Sequence, residues 1–167
     1  MAEGTFPKSD GDVLYASEAN TMWNNSNKLK DLTPTQTGDW STAPTTMTNI
    51  TDEDLTTHSD GVANGTGTGG NAYLQIDLGQ TTYFTKISYK FTLANTGVAQ
   101  TPDVRIQVST DDSNWFDIKT FTEDATYEGS LTGDLATIKA RYIRFNLVVA
   151  PGGAGDKTLT MYHLGLQ

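Results

Sequence analysis

Two histidines, an acidic triplet and a few aromatic residues in polar surroundings are the side chains of this sequence that could do chemistry. His58 follows shortly after the run Asp52-Glu53-Asp54, and His163 lies in an alternating segment near the C-terminus. A nucleophilic mechanism needs a hydroxyl or thiol within reach of a base that a third group orients. The chain has no cysteine, and neither histidine has an evident partner in the sequence. His163 therefore reads as a packed or edge residue of a strand. Asp52, Glu53 and Asp54 have the composition of a glycosidase pair, but adjacent carboxylates on one loop cannot flank both faces of a sugar ring. The glycine-rich run Gly65-Thr66-Gly67-Thr68-Gly69-Gly70 leads into a strand, so it lacks the helix N-terminus that a phosphate loop uses. No enzyme is expected.

Binding asks for less. One face of a pyranose is apolar and its edge is hydroxylated, so a sugar site needs an aromatic platform beside planar polar groups. The loop residues that fit are Trp40, His58, Asn64 and Tyr127. Trp115 reads as core and Trp23 as the packing residue of an N-terminal helix. Asp77 and Arg144 sit inside otherwise apolar strands, which points to an internal ion pair or to a carboxylate taking loop N–H bonds. The sequons at Asn24, Asn49 and Asn64 are expected by chance in a chain this rich in Asn and Thr, and no glycan is assigned to them.

Composition bounds the partners. The 167 residues suffice for one domain with a sizeable core. Twenty acidic against eleven basic residues give a formal charge of -9. Such a surface repels the phosphate backbone and anionic lipid, so neither nucleic acid nor membrane insertion is expected. Residues 1–6 carry no basic stretch followed by an apolar run, so no secretory leader is expected either. A protein of this kind working outside a cell would leave by another route, such as virion assembly followed by lysis.

The elements that must position these residues are strands. Residues 4–16 are turn-rich, and Ser17 with Glu18 caps a short helix predicted over 17–28. Residues 1–28 then form a lead, and 29–167 form the main domain. The polar stretch 30–72 must be loops and short strands. From Tyr73 onward, alternation predicts strands at 73–78, 83–93, 104–108, 115–121, 142–149 and 159–166, with the turn Asp111-Asp112-Ser113-Asn114 between two of them. Three long polar loops remain, around 34–48, 58–70 and 122–137. The connections leave no room for crossover helices. The fold class is all-β: an antiparallel β-sandwich, jelly-roll-like, of about eight strands with a short N-terminal helix.

Three strings carry a resemblance. Tyr-Leu-Gln-Ile-Asp-Leu-Gly (73–79) resembles the Asp-Leu-Gly strand of discoidin domains, the coagulation-factor type C group. Val-Arg-Ile-Gln-Val-Ser-Thr-Asp-Asp-Ser-Asn-Trp (104–115) is similar to that family's hairpin, and Ala-Arg-Tyr-Ile-Arg-Phe (140–145) to its Ala-Arg-Tyr strand. The three occur in the family's order, and the resemblance covers about residues 40–167. It implies a galactose-binding-like sandwich whose loops carry the binding. Thr51-Asp52-Glu53-Asp54-Leu55-Thr56-Thr57 resembles the family's structural calcium loop, which implies Ca²⁺ held by Asp52, Asp54 and Thr57. Glu53 stands where that loop has Gly, and His163 where it draws on a Glu. The lead from Phe6 to Asn20 is similar to lead segments of phage and viral tail-fibre or virion-surface proteins, which commonly pack as oligomers, often trimers.

The expectation is thus a non-catalytic virion-surface protein, of capsid-decoration or tail-fibre type. It would sit on the virion surface or extracellularly, as a homo-oligomer (a trimer by preference) or on a larger virion scaffold, with a cell-surface glycan as its external partner. The alternative is a carbohydrate-binding module of a cellular adhesin or enzyme complex.

Overall fold

The computed structural model describes residues 27–30, 32–63, 70–95, 103–122, 124–131, 138–149 and 156–167. The predicted helix over 17–28, all but the last residues of the lead, and Asn64 lie outside the described residues. The described part of the chain enters the body at Asn27, whose buried Oδ1 accepts the N–H groups of Leu29 and Leu166. Lys28 N–H donates to the Leu166 carbonyl, so the start of the domain is tied to its last strand.

Ten strands form two antiparallel five-stranded sheets. They are β1 (Thr35–Gly38), β2 (Trp40–Thr42), β3 (Ser59–Ala63), β4 (Gly70–Phe84), β5 (Ile87–Asn95), β6 (Asp103–Ser109), β7 (Phe116–Phe121), β8 (Ala125–Leu131), β9 (Ile138–Val149) and β10 (Lys157–Leu166). One sheet has the order β1-β4-β9-β6-β7 and the other β2-β3-β10-β5-β8. The antiparallel sandwich read from the sequence is thus the fold, with ten strands where about eight were expected.

The differences have local causes. β8 lies within the polar stretch 122–137 because Ala-Thr-Tyr-Glu-Gly-Ser-Leu is an edge strand, mostly exposed on both faces, and carries little alternation. β4 runs on past Gly79, where a strand end was expected. Gly79 sits at φ +75°, and the pairing with β9 skips residues 78–81 before resuming at Thr82–Ala140. The single strand expected over 83–93 is two, divided by a turn at Thr85-Lys86 whose N–H groups both donate to the Gln167 carbonyl.

The core lies between the sheets. From one sheet come Leu74, Ile76, Val104, Ile106, Ile143, Phe145 and Leu147, and from the other Ile87, Phe91, Leu93, Leu159, Met161 and Leu164. Along each strand they recur at the period of two that returns side chains to the same face, except on β10, where a bulge between Met161 and His163 shifts the period by one. Phe91 bridges the two sheets: fully buried on β5, its ring meets those of Phe121 on β7 and Phe145 on β9 edge-on, with centroids 5.0 and 5.4 Å away. Such edge-to-face contacts add to the burial itself. Phe91→Ala should therefore cost about 3–5 kcal/mol, the range for emptying an aromatic site in a core. Urea unfolding checks this, and a loss below about 1 kcal/mol would place the centre of the core elsewhere.

Candidate functional site

The outer face of the first sheet holds most of the organised polar chemistry. Asp77 on β4 accepts the N–H of Gly79 through Oδ1 at 2.8 Å, which shapes the Asp-Leu-Gly turn. Both its oxygens also take Arg141, from Nε and Nη2, at 2.9 Å each. Chiefly through the Arg141 bond, the Asp77 carboxyl is held below the usual carboxylate range. Of the two readings of Asp77 and Arg144, the carboxylate does take a backbone N–H, that of Gly79, while the internal ion pair is not formed: the cation beside Asp77 is Arg141, and both groups are exposed. The reason is the skip in pairing, which sets Arg141 opposite the β4 irregularity, just before the Tyr142–Asp77 pair.

Arg144 lies between two aromatic rings. Its guanidinium carbon is 4.3 Å from the Tyr73 centroid and 3.8 Å from that of Trp115. Its Nε donates to Gln107 Oε1 at 2.7 Å, and Gln107 Nε2 donates in turn to Asp117. Trp115 faces Tyr142 at 6.5 Å, and Tyr142 carries the Arg141 guanidinium at 5.0 Å. Trp115 therefore packs on the outside of the sheet rather than in the core. This row was not foreseen as a site. The signal was present: the chain's three arginines, Arg105, Arg141 and Arg144, all fall on the two neighbouring strands β6 and β9.

The four sugar-site candidates do not converge. Trp40 opens β2 just after the chain crosses between sheets at Asp39, whose N–H donates to the Asn71 carbonyl. Its indole Nε1 donates to the Thr37 carbonyl at 3.0 Å, and the half-buried ring lies over Gly61, where an added Cβ would come 2.5 Å from the indole. Trp40 pairs with Ala63 at one end of β3, whereas His58 precedes Ser59 at the other. Five residues of strand separate them by roughly 16 Å. His58 is exposed, 3.4 Å from Asp60, with its ring 5.4 Å from that of Tyr162. Tyr127, expected in a loop, is on β8 instead, and its ring packs on Phe91 and Phe121 at 5.1 and 4.8 Å. The pull is hydrophobic: the inward position of an edge strand buries the ring against the core.

The acidic loop closes on itself. Asp52 Oδ1 accepts the Asp54 N–H at 2.9 Å and Oδ2 the Thr57 hydroxyl at 2.8 Å, while Asp54 Oδ1 takes both the N–H and the hydroxyl of Thr56. The Thr56 bonds hold the Asp54 carboxyl below its ordinary value. Glu53 takes φ +67°, the left-handed region that a Gly would occupy more easily. Asp52 Oδ2, Thr57 Oγ and the Asp54 carbonyl lie within hydrogen-bonding distance in sequence, an oxygen set of the kind a hard cation takes. The loop supplies three such oxygens, no group of three or more histidine, aspartate or glutamate side chains is placed to hold a metal among the described residues, and the strand side offers no carboxylate.

That strand side is His163. Its Nε2 is 2.9 Å from Ser88 Oγ, the contact that a serine nucleophile makes with its base. Its Nδ1, however, is buried without a partner, so no third group orients the ring. The pair reads as packing between β5 and β10.

Comparison with known proteins follows this geometry. Residues 49–145 match the family model described as NedA-like, galactose-binding domain. Chitosan-binding module 1 of a chitosanase/glucanase from Paenibacillus sp. IK-5 superposes with a TM-score of 0.56 at 18% identity, covering 85% of this chain and 98% of that one. The lectin domain of lectinolysin, complexed with Lewis B antigen, gives 0.53 at 16% identity over 86% and 96% of the two chains. A module of AlyQ in complex with 4,5-unsaturated mannuronic acid gives 0.50 at 18% identity over 83% and 96%. No curated protein sequence matches the chain.

The setting of His163 fixes a pH dependence. Burial lowers its pKa, and the nearby charges of Glu53 and Asp52 oppose that only in part. A histidine whose folded value lies below its unfolded value leaves stability intact above the unfolded pKa, about 6.5. Stability is then lost as the pH falls below it, because the unfolded chain binds the proton more readily. Thermal unfolding should show the melting temperature falling between about pH 6.5 and 5, with a shallower fall in His163→Gln. Equal slopes in both proteins would remove His163 as the cause.

Proposed function

The chain belongs to the NedA-like, galactose-binding domain family, and from that premise we propose that it is a non-catalytic carbohydrate-binding module of an extracellular adhesin or enzyme complex. Of the two settings drawn from the sequence, this one has the better support, because the similar folds include a sugar-binding module and a lectin domain. Nothing comparable supports the virion-surface setting or its trimeric lead. Among the described residues no helix is long and apolar enough to cross a membrane.

The observation that carries the reading on this chain is Trp40. Its indole is held in orientation by Thr37 and laid half-buried over Gly61, and its backbone pairs with Ala63 at the end of the sandwich where Ala63, Asn95 and Lys157 meet in register. A ring fixed in this way stacks on a sugar at little entropic cost. Single-site affinity should be weak, about 10⁻³ to 10⁻⁴ M, and raised by multivalent display. On a multivalent glycan array Trp40→Ala should abolish binding while the protein stays folded by circular dichroism. His58→Ala should bind as before, because His58 lies at the far end of β3. A blank array for the native protein, or retained binding by Trp40→Ala, would sink the assignment.

We propose in addition that Asp52, Asp54 and Thr57 hold a structural Ca²⁺, which would pin the loop beneath β10. An ion bound only to the folded state stabilises it by mass action, by about 2.7 kcal/mol at a hundredfold excess over Kd. Calcium should then raise the melting temperature by roughly 5–10 °C relative to excess chelator. Asp52→Ala should melt at the same temperature in both. Identical native melting curves in calcium and in chelator would leave the loop to its own hydrogen bonds.

A further inference from the structure

We propose that the outer face of the first sheet carries a second ligand site, built on Arg144, that takes the carboxylate of an acidic saccharide such as a uronate. The argument starts from charge. Of the three arginines, Arg105 is 3.6 Å from Asp117 and Arg141 is bidentate with Asp77, whereas Arg144 has no carboxylate within ion-pair distance among the described residues. Two further carboxylates face it only at longer range, and both are engaged: Asp117 takes Gln107 and Arg105, and Asp112 takes Gln75 Nε2 at 2.8 Å. On a chain of net charge -9, this is a cation that no described carboxylate pairs with directly.

The geometry then selects the ligand. Tyr73 and Trp115 both lie within cation–π distance of the guanidinium, and Gln107 Oε1 accepts from Nε. What remains is the Nη1/Nη2 edge, which makes no hydrogen bond to a described residue and is not among the buried unpartnered atoms. A planar fork with two parallel donors matches a carboxylate. The flanking rings remove the side-chain entropy that an exposed arginine would lose on binding. They also offer apolar edges to the sugar that carries the acid.

That the acid comes on a sugar rests on the module reading; the carboxylate site itself does not. The two are also separate in space, since Arg144 lies mid-strand on the first sheet and Trp40 at an end of the second. The test is an NMR titration of the full chain with a mannuronate or galacturonate oligosaccharide, a neutral galacto-oligosaccharide and sodium acetate in turn. The expected result is that the uronate shifts the Trp115 indole and Arg144 Nε resonances, and that binding weakens with added salt. Arg144→Gln should weaken it about tenfold or more, the loss for a charged hydrogen bond. Arg144→Lys, which keeps the charge but not the fork, should also weaken it. Acetate moving the same resonances while no saccharide does would uphold the carboxylate site and overturn its sugar. The proposal falls if none of the ligands moves those two resonances in the native protein, or if the neutral sugar moves them equally. It also falls if a folded Arg144→Gln binds uronate as the native chain does.

Discussion

The alternation of β9 is the constraint on which the rest of the structure turns. Its inward residues Ala140, Ile143, Phe145 and Leu147 are fully buried, and its outward residues include Arg141, Tyr142, Arg144 and Asn146. A one-residue slip over residues 143–147 would drive Arg144 into the core and expose Phe145. The bidentate Asp77–Arg141 contact marks the correct register from outside, while Phe145 on Phe91 marks it from within. As an exposed pair the salt bridge adds little to stability by itself. Its geometry still matters, because it couples the Asp-Leu-Gly turn of β4 to the strand that carries Arg144.

The two faces of that sheet therefore do different work. Inside, edge-to-face aromatic contacts hold one sheet to the other. Outside, rings and guanidiniums alternate in a row, Tyr73, Arg144, Trp115, Tyr142 and Arg141, laid across neighbouring strands. Cation–π contacts of this kind are worth more when water is partly excluded. The row also accounts for the low exposure of Gln107 and Ser109, polar residues on an outward face. Binding capacity in this domain is thus distributed between a sandwich end with a fixed indole and a sheet face with a clamped cation. Neither place offers the oriented base and nucleophile that catalysis by serine or histidine would need.

The β6–β7 hairpin shows how local chemistry serves that face. Asp111 accepts the N–H groups of Ser113 and Asn114 and the Asn114 amide, and these bonds, led by the Asn114 N–H, hold its carboxyl far below the ordinary range. Asp112 takes φ +62° and reaches Gln75 on β4. The tight turn delivers Trp115 to the outer face beside Arg144, so an acidic turn and a cationic stack belong to one local design.

What the sequence determined by itself was whatever depends on neighbours a few residues apart. Period-two alternation in 73–78, 104–108 and 142–149 dictates strands, the Asp-Asp-Ser-Asn string dictates a turn, and the absent cysteines exclude thiol chemistry. Tertiary structure decided everything that depends on which strands lie side by side. The partner of Asp77 is Arg141 because of a skipped register that no local pattern encodes. Tyr127 leaves the list of loop aromatics because β8 pairs with β5 and turns its ring onto Phe91. Trp40 and His58 stand at opposite ends of one short strand although both looked like loop residues. Arg144 meets Tyr73 and Trp115 only because β4, β9 and the β6–β7 hairpin are neighbours in space. Pairing across a sheet is a long-range choice, set by the total apolar surface it buries, and so it was not written in any one segment.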